Sequence, residues 1–396
     1  MLSALSSNCD SFKWKNHIVL LIAWGTILLG YWRGINNQLP VLSNFTDELE
    51  CLIVVLPIIF TIRELNKTIA LKDYLFWIFC FIAYSLNFII FPENEDALSK
   101  RYFNFSLLTL PFYFAGILTD IEKLQKYFYY ISAVSICICA LYEIIWIQSA
   151  MYTGDLNAGD YNMGHSYDIL PHVLMVTWYA LRNFDIKRII FMLIGAFMLI
   201  SYGTRGPVLC FILFVIGYFL FFKNFKHAVT IKILVGLIGL LLFLNIDPIM
   251  LFLNELTSDL GMSSRLFDLY FNNQIEASDT RDALKDTLLA ILKREDPMFG
   301  FGLLGSYRFI HTYPHKIWLE FIFSFGWILG ITLFAILVLY IIRAFFKCKS
   351  EDEKVFLFIL MVCGFFKLFL SGTFLDETLL FFLLGYCTNI TRKYHR

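Results

Sequence analysis

Apolar residues dominate this chain in long runs, and short polar stretches interrupt them at intervals of about 20 residues. A helix crossing the hydrocarbon core of a bilayer needs roughly 20 apolar residues. Runs that meet this need lie near 17–32, 47–62, 73–91, 103–118, 127–147, 166–182, 187–202, 207–222, 230–246, 316–342, 355–370 and 374–390. They predict an all-α polytopic membrane protein with about 12 transmembrane helices. Nine of these runs fall in 1–246 and three in 316–396, and the stretch 247–315 between them is the only long connection.

Within that connection the pattern changes. Leu284, Leu288, Ile291 and Leu292 share one face of a predicted helix that Asp279 or Thr280 can cap. Asp282, Lys285, Asp286, Lys293 and Arg294 fill the other face, and Pro297 ends the helix. Such an amphipathic helix suits the outer membrane surface, and equally suits packing against a helix bundle.

Composition agrees with a lipid environment: of 396 residues 59% are hydrophobic and 16% charged, 43 are Phe, and mean hydropathy is +0.68. A soluble domain of this size has no interior large enough for that much apolar surface. Lysines and arginines balance acidic residues at 32 each, which argues against nucleic acid as a partner. The nine cysteines form no C-x-x-C pair and lie mostly inside apolar runs, so neither a disulfide framework nor a zinc site is expected. Lys13 and Lys15 precede an apolar run with no small-residue cleavage pattern, which reads as a retained first span.

Charge placement predicts orientation, because cytoplasmic loops hold the excess of Lys and Arg. Alternate connections, beginning with Lys13 and Lys15 and ending with Arg392, Lys393 and Arg396, carry twenty, whereas the short loops between them hold only Arg33, Lys100, Arg101 and Arg205, which is four. Both termini are therefore expected in the cytoplasm, and 247–315 outside.

Chemistry-bearing residues gather on that outer side. Arg205 lies in Gly203-Thr204-Arg205-Gly206-Pro207, with no other charge within a dozen residues. It either holds an anionic partner or snorkels to phospholipid headgroups. Arg281 occupies the first turn of the amphipathic helix, where free N–H groups already favour an anion. Arg265 reads either as a third guanidinium or as a solvated loop charge. Two guanidinium groups converging would clamp a diphosphate through bidentate hydrogen bonds. Pro314 argues against one helix carrying both His311 and His315 to a metal. His315, at a helix start, suits a proton acceptor or a substrate hydrogen-bond partner, with Glu320 a turn further on to orient it; a structural histidine is the alternative. Asp268 is a further carboxylate in the same connection. Glu143, Lys367, Asp376 and Glu377 also stand toward the outer ends of their spans.

Three stretches together resemble the bacterial O-antigen polymerase and O-antigen ligase superfamily, the Wzy-type and ligase-type membrane glycosyltransferases. They are 203–207, the run from Arg281 through Asp296-Pro297-Met298-Phe299-Gly300-Phe301-Gly302, and Tyr313-Pro314-His315 continuing to Leu319-Glu320. The resemblance implies a GT-C-like architecture in a bacterial inner membrane and a metal-independent enzyme without cofactor. It implies an undecaprenyl-diphosphate-linked oligosaccharide as donor, with a flippase and a chain-length regulator as partners. Arg205, Arg281 and Arg265 would then bind the donor diphosphate, His315 and Glu320 would be catalytic, and His311 and Tyr313 would contact the acceptor. Lys316 replaces the asparagine usual after the histidine, which bears on acceptor contacts. The Tyr-Pro-His form points to a polymerase; a ligase shares the donor, and a lipid-linked oligosaccharide flippase is the rival from another class. A transporter should show repeat symmetry and midplane charges, and the sequence displays neither.

Overall fold

The computed structural model describes residues 69–153, 163–183, 185–201, 204–222, 246–259, 271, 280–295 and 297–394. The spans expected at 17–32 and 47–62, nearly all of that at 230–246, and the residues Arg265 and Asp268 lie outside them. The described residues are all-helical, with no strand among them. Among the described residues, three helical stretches are long and apolar enough to cross a membrane: Leu71–Ile90, Ile121–Leu141 and Trp327–Lys347. The chain divides into two compact units.

The first unit takes 45–125 and 278–396, with a segment near the N-terminus. Its described part opens with α1, Leu71–Ile90, whose 20 residues reach about 30 Å, the thickness of a bilayer core. Leu71, Leu75, Phe79, Ile89 and Ile90 are more than half exposed along it, as lipid-facing residues would be. After the turn Pro92–Asn94 comes α2, Glu95–Phe103, then a wide π turn at Asn104–Thr109 and α3, Phe112–Leu118. Hydropathy alone gives 92–102 no element, because its charges lower the average there. Tyr84 of α1 nevertheless donates to the Leu98 carbonyl (2.8 Å), and Leu98 is completely buried. The helix α4, Ile121–Thr153, begins in this unit and continues into the second.

The second unit holds most of α4 together with α5, Met163–Asn183, α6, Ile186–Ser201, α7, Arg205–Gly217, which extends as a π turn to Phe222, and α8, Ile246–Asp259. Ile169, Leu170, Val173, Leu174 and Val176 of α5 are wholly buried, so this helix forms the unit's core. The helix α8 occupies the start of the stretch expected to be a connection, where Pro248 and the mixed polarity of 246–259 give no clear period.

The chain re-enters the first unit with α9, Thr280–Glu295, the amphipathic helix that periodicity predicts. Leu288 and Leu292 are wholly buried against Leu319, Ile322 and Phe323, so this helix packs on the bundle. A single turn, α10, Tyr307–Ile310, precedes α11, Ile317–Phe325, and α12, Trp327–Lys347. The span expected at 316–342 is thus two helices. Gly326, at φ 80°, breaks them, and the nine residues of α11 reach only about 14 Å, too short to cross. The unit closes with α13, Glu351–Leu360, which continues through a π turn and a 3-10 turn to Phe369, and with α14, Thr378–Lys393. The helices α3 and α14 touch backbone to backbone: a Cβ on Gly116 would stand 2.6 Å from the Tyr386 nitrogen, and one on Gly385 2.8 Å from the Tyr113 carbonyl carbon.

Candidate functional site

The segment 297–316 is irregular backbone apart from the single turn α10, and its stretch 302–306 is nonetheless buried, with Leu303, Leu304 and Ser306 all at most 5% exposed. Buried loops must satisfy their peptide groups internally. Here the Phe301 and Gly302 N–H groups donate to the Phe323 and Ser324 carbonyls at 2.8 and 3.1 Å. Asn94 donates its amide to the carbonyls of Phe301 (2.8 Å) and Leu303 (3.2 Å), and the Leu303 N–H donates to the Asn87 side chain (2.8 Å). Two asparagines of the α1–α2 corner therefore fasten this loop to the outlet of α1.

The Gly300-Phe301-Gly302 part of the second family-like motif is explained by this docking. Both glycines have positive φ, 71° and 77°; a Cβ on Gly300 would lie 2.5 Å from the Gly326 nitrogen, and one on Gly302 2.5 Å from the Phe91 ring. Among the described residues the non-glycine positions with positive φ are Leu304, His311 and His315, all on this one loop. Left-handed backbone costs a residue with a Cβ free energy and persists where its surroundings impose it. The Ser306 hydroxyl helps, donating to the Thr312 carbonyl (2.9 Å) and closing the chain around His311. His315 is half-buried, with its ring centroid 4.3 Å from that of Tyr313, whereas His311 is exposed.

Beside this loop lies a charged cluster. The Arg101 guanidinium, carried by α2, donates to the Tyr307 hydroxyl (2.7 Å) and pairs through Nε with Asp376 (3.1 Å). Its remaining nitrogen is buried with no hydrogen-bond partner among the described residues. Burial pushes the Tyr307 phenol above its usual range, and the Arg101 charge opposes that. Lys367 pairs with Glu377, which also caps α14 by accepting from the Leu379 N–H (3.3 Å). Glu320, 3% exposed on α11, accepts from the Thr373 hydroxyl and from the Phe374 N–H (3.2 Å). Burial pushes its carboxyl up to about 8, and those two hydrogen bonds pull the other way.

The expected site residues thus have different fates. Tyr313, His315, Glu320 and His311 belong to the first unit and follow one another from the pinned loop into α11. Arg281 has its backbone in the first turn of α9, in the same unit. Arg205 belongs to the second unit, as the first residue of α7, behind Thr204, which hydrogen-bonds Ser166. Gly206 there faces the Tyr167 hydroxyl, so its missing side chain serves helix packing. Glu320 has partners in Thr373 and Phe374, which makes it the tie between α11 and the 371–377 turn. In the sequence Arg101 counts only as one of four outer-side charges. That it stands against the positive-inside bias is the available signal. Compared with known proteins, the chain matches no family model, no curated protein and no solved structure.

Proposed function

We propose that this chain is a polysaccharide polymerase of the inner membrane, with about 12 spans, cytoplasmic termini and 247–315 outside. It moves a glycan from an undecaprenyl-diphosphate carrier to the non-reducing end of another lipid-linked repeat unit. The resemblance of the three motifs suggests this, and one structural observation supports it most: His315 of the Tyr313-Pro314-His315 stretch takes left-handed backbone on a tightly pinned loop, within the unit that also holds the Arg101 cluster. Strained backbone held by over-determined surroundings is a common setting for reactive groups.

In this reading the acceptor hydroxyl attacks the anomeric carbon of the donor sugar while His315 takes its proton. The bond from that carbon to the diphosphate breaks, and its electron pair stays on the diphosphate oxygen. Arg281 stabilises the charge that builds there, as fixed cationic donors do at a developing anion. Arg101 adds a guanidinium to the same side of the reaction, braced by Asp376 and Tyr307. Tyr313 and His311 meet the acceptor sugar.

A surface-glycan profile of a deletion strain tests the reading. Single-repeat surface glycans are expected; accumulation of long chains on the carrier would point to a ligase instead, and an unchanged profile would remove both. Orientation is tested by single-cysteine labelling, with a cysteine near 275 reacting in intact cells.

A further inference from the structure

Within the first unit, α1, α11, α12 and α14 line an open cavity of about 510 Å³ that the reaction above does not use. Its walls are apolar for most of their length: Phe76, Phe321, Leu333, Leu337, Leu384 and Phe381 line it. One end, near Phe374, approaches the Glu320 tie. The other end is polar and lies at the start of α1 and the finish of α14, roughly the 24 Å length of α14 away.

That polar end is built in layers. The Tyr340 hydroxyl meets Thr388 Oγ1 at 2.7 Å, Thr388 meets the Tyr113 hydroxyl at 3.3 Å, and Tyr113 donates to Asp73 at 3.3 Å. Asp73, 1% exposed, pairs with Arg392 and accepts from the Ala70 N–H (2.9 Å). Arg392 Nε remains buried with no hydrogen-bond partner among the described residues. Lys72 lines the same mouth and is exposed. Two cations against one carboxylate leave a net positive mouth on an apolar shaft.

We propose that this cavity binds an anionic glycerophospholipid, its phosphate at Lys72 and Arg392 and one acyl chain along the shaft between α1 and α12. Charge complementarity selects the headgroup, since the lone carboxylate is already engaged by Arg392 and the spare donors are cationic. The shape selects the chain, because a site mostly apolar with a few convergent polar groups orients an amphiphile one way. The hydroxyls of Tyr340 and Thr388 stand where ester oxygens would follow the phosphate. The proposal rests on the membrane setting and not on glycosyl transfer, so either can fail alone.

Native mass spectrometry of the full chain, delipidated in mild detergent and given equal amounts of phosphatidylglycerol and phosphatidylcholine with the same chains, tests it. One phosphatidylglycerol should be retained in preference. Lys72→Ala should cut that preference about fivefold, the effect expected of one basic side chain near an anionic lipid. Leu337→Trp, which fills the shaft, should abolish retention of both lipids. Equal retention of the two lipids would overturn the proposal, as would an unchanged preference in Lys72→Ala or displacement of the lipid by undecaprenyl phosphate. Lys72 is exposed and its removal leaves no buried partner, so that arm decides even if the tryptophan variant fails to fold.

Discussion

Arg101 donates to the hydroxyl of Tyr307 across 206 residues of sequence, and so joins the helix that follows α1 to the loop that carries both candidate histidines. Its Nε meets Asp376 on a third segment. One guanidinium thus organises α2, α10 and the turn before α14, and its remaining nitrogen is buried with no hydrogen-bond partner among the described residues.

Arg101→Lys should therefore separate activity from stability. A lysine keeps the charge but cannot reach Tyr307, Asp376 and a third partner in one plane. Asp376 is 37% exposed at its side chain, so solvent screens the pair, and its loss should cost under about 1 kcal/mol. Turnover of lipid-linked donor by purified protein should nevertheless drop at least about tenfold, the scale on which lost anion contacts act. Wild-type turnover in Arg101→Lys would leave this residue a brace only.

The docking of 297–305 makes a purely structural forecast. Gly302→Ala places a Cβ against the Phe91 ring at φ 77°, and Gly300→Ala places one against the backbone of 324–326. Each should destabilise the protein by about 1–3 kcal/mol or more, by the usual cost of enforced left-handed backbone plus the clash. Asn94→Ala, which strands the Phe301 and Leu303 carbonyls, should cost about 1–3 kcal/mol. Thermal unfolding in detergent measures all three, and a neutral Gly302→Ala would refute the packing described.

Much of this arrangement can be read from sequence, and what cannot has a common cause. Hydropathy runs place α1, α5, α6 and α7 with its π turn to Phe222 within about three residues at each end, because apolar length is a local property. The same runs merge α11 with α12, since Gly326 is a single residue whose positive φ leaves no mark on an averaged window. Lys367, Asp376 and Glu377 are recognisable as charges at outer span ends; that Lys367 pairs with Glu377 while Asp376 goes to Arg101 depends on contacts set by the fold. The Gly-Phe-Gly motif is visible as letters, but its purpose, a close approach to Phe91 and Gly326, needs the tertiary partner.

Glu320 gives a pH forecast. Its carboxyl is pushed up to about 8 from an ordinary 4.5 by burial in α11, a helix outside the spanning stretches. A raised folded-state value means that the folded protein holds an extra proton between those limits. Its contribution to stability is fully present below about 4.5, declines as pH rises, and is gone above about 8. Glu320→Gln keeps the acceptor oxygen for Thr373 and cannot ionise. Unfolding midpoints between about pH 6 and 9 should therefore fall less steeply in Glu320→Gln than in wild type. Parallel slopes would show that Glu320 is ionised throughout.

His315 offers the most direct test of the proposed chemistry. It precedes α11, holds left-handed backbone at φ 56°, and packs its ring, tilted by 53°, 4.3 Å from that of Tyr313, so its imidazole is positioned by the loop and not by a helix. If it accepts the acceptor hydroxyl's proton, His315→Ala should lower turnover by about 10²–10⁴-fold, the range for general-base catalysis, while donor affinity changes little. His311 shares the backbone geometry, φ 55°, but is exposed, so His311→Ala should be milder. A histidine that only supports the loop would behave otherwise, lowering yield and unfolding temperature while each folded molecule keeps its activity. His315→Asn distinguishes these outcomes further: asparagine tolerates left-handed backbone and hydrogen-bonds, yet takes up no proton near neutrality. Turnover per folded molecule that stays low in His315→Asn at wild-type stability assigns proton transfer to the imidazole; recovered turnover assigns it elsewhere.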